Sequence, residues 1–127
     1  MVPVGALAVS SAMGTARAGM AAAITAAGEP ATLNPVGNPP MILVDAGTWE
    51  SASGVGAWDV SIPVRCIVPP PGDADALGAL EAMVEHVLSA LGWAVAEPAS
   101  WAPSPATPHP MPCYTLTYRR QIPNPDC

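Results

Sequence analysis

A chain of 127 residues with a formal net charge of −6 fits a single domain with one core. Its only cations are Arg17, Arg65, Arg119 and Arg120, too few for the basic face that grips phosphates, which argues against direct nucleic-acid binding. Half of the residues are hydrophobic, but Phe is absent, so the core must combine small aliphatics with Trp, Tyr and Met. Because burial energy scales with apolar area, each small residue contributes little.

Residues 1–12 carry no clear period and read as an N-terminal arm. Val2 to Val9 is apolar, but no charge precedes Arg17, so a signal peptide is not expected. No stretch approaches ~20 strongly apolar residues, the length of a membrane span. From Met13 the pattern turns helical: Met13, Ala16, Met20, Ile24 and Ala27 form one stripe. Gly28 and Pro30 end it.

Ala31 to Asn34 is a short strand, followed by a turn over 35–40. Met41 to Asp45 is a second apolar strand. The Gly- and Ser-rich stretch 47–56 reads as a flexible hairpin connection. Ala57 to Val68 is the clearest strand. Trp58, Val60, Ile62, Val64, Cys66 and Val68 share one parity, with Asp59, Ser61, Pro63 and Arg65 on the other. Pro63 removes a ladder donor, so the strand is locally at an edge or bulged there.

Asp73 caps a second helix running to about Leu91, with Leu77, Leu80, Val84, Val87, Leu88 and Leu91 as its inward stripe. Gly92 stops it. Trp93 to Glu97 is a further strand. The segment 98–112 holds Pro98, Pro103, Pro105, Pro108, Pro110 and Pro112 and reads as a stiff, extended loop. Tyr114 to Gln121 is the last strand, and 122–127 is a tail. The order α-β-β-β-α-β-β predicts an α+β two-layer sandwich, a mostly antiparallel sheet with two helices on one face. The domain spans residues 13–121.

No catalytic, cofactor or metal site is expected. His86 reads as a boundary histidine on an amphipathic helix, and His109 has no partner near it in sequence. Asp73 and Asp75 read as helix-capping residues. Cys66, Cys113 and Cys127 match neither a disulfide framework nor a zinc spacing and read as reduced thiols, with a Cys66–Cys113 bridge as the alternative. Without Lys there is no phosphate loop. What remains are candidate interface residues: Trp49 and Glu50 in the 47–56 stretch, Pro63, then Trp101, Pro103, Pro105, Pro108, Pro110 and Met111 in the proline segment. Exposed aromatics anchor contacts; alternatively, both tryptophans fold back over the core.

The chain also resembles a known family. The features are Asn38-Pro39-Pro40 before an apolar strand, then Trp58-Asp59-Val60-Ser61-Ile62-Pro63-Val64 leading into Val68-Pro69-Pro70-Pro71-Gly72-Asp73. An Ala-Leu-x-x-Leu-x-x-x-Val helix, Gly92-Trp93-Ala94-Val95 and Tyr114-Thr115-Leu116-Thr117-Tyr118 follow. Over residues 13–121 this is similar to the small tail terminator (tail-completion) proteins of long-tailed actinobacteriophages. The resemblance is one of element order and local flavour, and the abundance of Ala, Gly and Pro fits a GC-rich source.

The resemblance implies a structural virion protein with no catalytic residues. It would form a homo-oligomeric, hexameric ring on the tail tube, at the neck end of the tail, assembled in the bacterial cytoplasm. The implied partners are further copies of itself, the major tail tube protein and the head–tail connector, with double-stranded DNA passing through unbound. A head-completion or neck protein is the alternative within that class. A secreted Pro-rich binding module is the alternative outside it.

Overall fold

The computed structural model describes residues 11–35, 39–52, 56–69, 74–102 and 111–123. The elements in chain order are α1 (Ala12–Ala26), β1 (Ala31–Thr32), β2 (Met41–Val44), β3 (Thr48–Ala52), β4 (Ala57–Ile67), α2 (Ala74–Leu91), β5 (Ala96–Trp101) and β6 (Met111–Pro123). The fold is α+β: one mostly antiparallel, open sheet and two helices. The predicted order is present with one strand more. β3 lies in the stretch read as a flexible connection, because Thr48 to Ala52 pairs antiparallel with β4.

β4 organises the sheet. One edge pairs with β6 along its whole length, from Ala57↔Pro123 to Ile67↔Cys113. The other edge is shared: β2 takes Val64 to Ile67 and β3 takes Trp58 to Ser61. The sheet order is β1-β2-β4-β6-β5, with β3 beside β4 below β2. Pro63 falls where the partner changes. Its carbonyl accepts from the Asp45 amide at 2.9 Å, so its donor-less nitrogen faces the corner between β2 and β3, where no ladder bond is lost. The local edge that proline demands is therefore built into a central strand.

The alternation in β4 sorts the two faces. Val60, Ile62, Val64 and Cys66 are fully buried under the helices, joined by Ile42, Val44, Leu116, Tyr118 and Ile122. From α1 come Met13, Met20 and Ile24, and from α2 Leu80, Val84 and Val87. The opposite face carries a smaller apolar cluster of Met41, Leu43, Ile67, Trp101 and Cys113.

Several boundaries move from the sequence reading. α1 starts at Ala12, capped by the Ser11 hydroxyl, which accepts from the Gly14 amide at 2.8 Å. The arm therefore ends one residue earlier; residues 1–10 lie outside the described residues, as do Asp73 and 103–110. β5 runs from Ala96 to Trp101 instead of 93–97. The first part of the proline segment is thus an edge strand, where Pro98 is tolerated. β6 extends over Met111–Pro123, because each added residue finds a partner on β5 or β4. Ile122 is core and not tail: it pairs with Trp58 and is buried. Leu77 does not face inward. It is 47% exposed, because α2 sits over β4 and β6 and its first turns overhang β5.

Gly92 ends α2 at φ 92°, a conformation open to glycine, and its amide donates to the Leu88 carbonyl at 2.9 Å. The buried Tyr118 hydroxyl donates to the Gly92 carbonyl at 2.9 Å and locks that turn to β6. Replacing Ile62 by Ala should lower the unfolding free energy by about 2–5 kcal/mol. Tyr118→Phe should cost about 1 kcal/mol through the lost hydrogen bond. Urea denaturation of both variants checks the ranking.

Candidate functional site

The candidate interface residues separate into three groups. Trp49 and Glu50 sit on β3, whose five residues are all exposed, and Trp49 is 55% exposed. A register shift falls between Trp49 and Ser51, so Glu50 is the bulged residue. Glu50 lines a shallow depression of about 420 Å³ with Ser51, Asp59, Arg119, Arg120 and Gln121. Its charges are mixed, and Ser51 donates to Asp59 at 3.0 Å.

Trp101 and Met111 form the second group. They pair across β5 and β6. Trp101 is only 8% exposed and caps Met41, Leu43, Ile67 and Cys113, with Met111 packed beside it. Of the two readings for this tryptophan, the structure adopts the lid over an apolar cluster. The exposed anchor expected at Trp101 is corrected accordingly: the ring covers the sheet face that no helix reaches. Pro103, Pro105, Pro108 and Pro110, the third group, lie outside the described residues. Pro63 is half-buried in the centre of the sheet and stands apart from the other candidates.

A polar network borders the Trp101 cluster. The Arg65 Nε donates to the Asp45 carboxylate at 2.7 Å, and its Nη1 to the Thr115 hydroxyl at 3.0 Å. One guanidinium thus stitches β2, β4 and β6 together. Both charged side chains are about one-quarter exposed, 27% and 26%, so the pair adds stability only modestly. Arg17 donates to the Val44 carbonyl at 2.8 Å and ties α1 to the end of β2. Arg120 lies over the Tyr118 ring, 5.1 Å from its centroid, so three of the four cations are engaged within the fold. The signal for the Arg65 network was present in the strand alternation, but the partners lie 20 and 50 residues away.

His86 is half-buried. Its Nε2 accepts from the Glu29 amide at 3.2 Å and lies 3.1 Å from the Ile24 carbonyl. It ties α2 to the end of α1, a structural task at the boundary between helices. Among the described residues no three His, Cys, Asp or Glu side chains gather as metal ligands. No helix among them is long and apolar enough to cross a membrane.

Cys66 and Cys113 are both free and buried. They occupy neighbouring strands, but Cys66 points into the helix-covered core and Cys113 into the opposite cluster. With the sheet between them the alternative bridge is ruled out. Burial pushes the Cys66 thiol from its ordinary 9.0 up to about 12, with the neighbouring Cys113 adding to the rise. Cys113 is raised as well, mainly by burial, against the opposing influence of Thr115 and Arg65.

Comparison of the chain with protein-family models, curated proteins and solved structures finds no match.

A thiol whose folded pKa is raised stabilises the fold fully below the unfolded value. That contribution is lost as pH climbs from about 9.0 towards about 12. Stability should therefore fall above pH 9, by up to about 1.4 kcal/mol per pH unit for each such thiol. Cys66→Ala should flatten that slope, as measured by urea midpoints between pH 8 and pH 10.5. In the native protein at pH 8, both Cys66 and Cys113 should resist alkylation, read by peptide mass spectrometry.

Proposed function

We propose that this chain is a structural subunit of a phage tail, a tail terminator that assembles as a ring, capping the tail tube and joining it to the head–tail connector. The observation that carries the reading is that, among the described residues, the sheet ends in open edges on both sides. β3 lies on one side of β4, and β5 lies beyond β6 on the other. A subunit with two different edges can be gripped by two neighbours, and head-to-tail contacts of that kind form a ring when the rotation between neighbours closes and a filament when it does not.

The charge distribution supports the same reading. Ten carboxylates stand against four arginines, and Arg17 and Arg65 are engaged inside the fold. A ring of such subunits has little with which to hold the DNA that passes through it. The position in the particle, on this reading, is the one that the resemblance in element order over residues 13–121 implies. The partners on this reading are further copies of the chain, the tail tube protein below and the connector above.

Cryo-electron microscopy of virions tests the assignment. Density for this chain is expected as a closed ring, six-fold on this reading, between the last tube ring and the connector. Virions lacking the chain should show tails of unregulated length that fail to join heads. Density on the capsid side of the connector would make it a neck protein instead. Absence from the particle would refute both. In a low-salt binding assay, duplex DNA should show no tight, salt-sensitive association.

A further inference from the structure

The two-layer sandwich is incomplete at one end. α2 covers β4 and β6, and the helix-side face of β5 beyond them stays open. Between α2 and β5 runs a groove of about 370 Å³, lined by Leu77, Leu80, Pro98, Ala99, Pro112 and Tyr114 among others. Leu77 on its wall is 47% exposed. Trp93 and Val95, just before β5, are 82% and 62% exposed. Three of the five exposed large hydrophobic side chains among the described residues thus lie along or beside this one strand.

The backbone of β5 is open as well. The Val68 amide donates to the Pro112 carbonyl at 3.2 Å, so the peptide groups of Pro112 and Tyr114 face β4. The register Ser100↔Pro112 and Pro98↔Tyr114 then turns Ala96, Pro98 and Ser100 outward. Ala96 and Ser100 offer a donor and an acceptor each, and Pro98 offers an acceptor only. Among the described residues nothing pairs with this edge, and an apolar trough beside such an edge is the arrangement that receives an added strand.

The other edges do not share it. β1 is two residues long. β3 is bulged at Glu50 and wholly exposed, with Trp49 as its one large apolar side chain.

We propose that the β5 edge and its groove receive the N-terminal segment Val2–Val9 of a second copy as an added β-strand. This rests on the ring reading above and names the contact that joins its subunits. The segment reads Val-Pro-Val-Gly-Ala-Leu-Ala-Val and holds no charged side chain. The stretch of α2 beside the groove carries Asp75, Glu81 and Glu85, all exposed, and an occupant without carboxylates meets no repulsion there.

The position of α1 selects a second copy over the same chain. Met13 packs where a Gly47 side chain would stand, so α1 begins on the β2–β3 side of the sheet. Only Ser10 separates Val9 from Ser11, and two residue steps, ~7 Å at full extension, fall short of the three strand spacings, about 14 Å, that lie between that side and its own β5. A neighbour whose α1 start faces this edge can lay the whole segment along it.

The experiment compares three proteins by native mass spectrometry and amide exchange: the intact chain, a chain starting at Ser11, and Leu77→Asp in the intact chain. Leu77 is exposed, so its replacement leaves the core alone. The intact chain should be oligomeric, with slow exchange at the Ala96 and Ser100 amides. The shortened chain and Leu77→Asp should be monomers, with exchange there faster by about ten-fold or more. A synthetic peptide of residues 1–10, added to the shortened chain, should restore protection at both amides.

An oligomer that survives removal of residues 1–10 with Ala96 and Ser100 unchanged would overturn the strand-addition proposal and leave the ring reading standing. Loss of protection without loss of mass would place the segment on its own chain and overturn the exchange between copies. An intact chain that stays monomeric alone and on tail tubes would defeat both.

Discussion

Everything in this fold depends on how β4 satisfies its backbone. An eleven-residue strand buried on one face must find partners for its peptide groups on both edges, since an unpaired buried amide or carbonyl costs about 1–3 kcal/mol. β6 supplies one edge without interruption. The other is divided between β2 and β3, and the division falls at Pro63, the one β4 residue that cannot donate. The Asp45 corner follows from it: the chain leaves β2, gives its amide to the Pro63 carbonyl and re-enters the sheet as β3.

That division also distributes chemistry across the sheet. Above the break, β2 brings Met41 and Leu43 to the helix-free face, where they meet Ile67, Cys113 and Trp101. Below it, β3 brings only exposed side chains, and this part of the sheet stays polar around Asp59, Arg119 and Gln121. Arg65 marks the frontier, with Asp45 on one side and Thr115 on the other. The sheet is therefore two surfaces on one face, one closed by a tryptophan and one left to solvent.

The same geometry leaves the ends of the sheet unequal. The helices pack where large aliphatics line up on β2, β4 and β6, and two helices are not wide enough to cover β5 as well. The exposed Leu77, Trp93 and Val95 are the consequence. Among the described residues the sheet therefore ends in an open edge beside an apolar trough.

The alternation of β4, the stripes of both helices and the glycine at the end of α2 were legible in the sequence, because each is set by contacts within a few residues and by a fixed period. So was the demand for a local edge at Pro63, since a missing amide is a property of the residue itself. Other features needed the folded chain. Thr48–Ala52 looks like a linker until β4 offers it a ladder. Pro98–Trp101 looks like the start of a proline loop until β6 pairs with it. Leu77 fits an inward stripe that stops short because α2 overhangs the sheet, and Trp101 shows no preference between anchor and lid. Cys66 and Cys113 could be a pair on paper, and only the sheet between them separates the two thiols. Local periodicity determined β4 and the two helices; pairing across distant segments decided that Thr48–Ala52 and Pro98–Trp101 are strands and which edges close among the described residues.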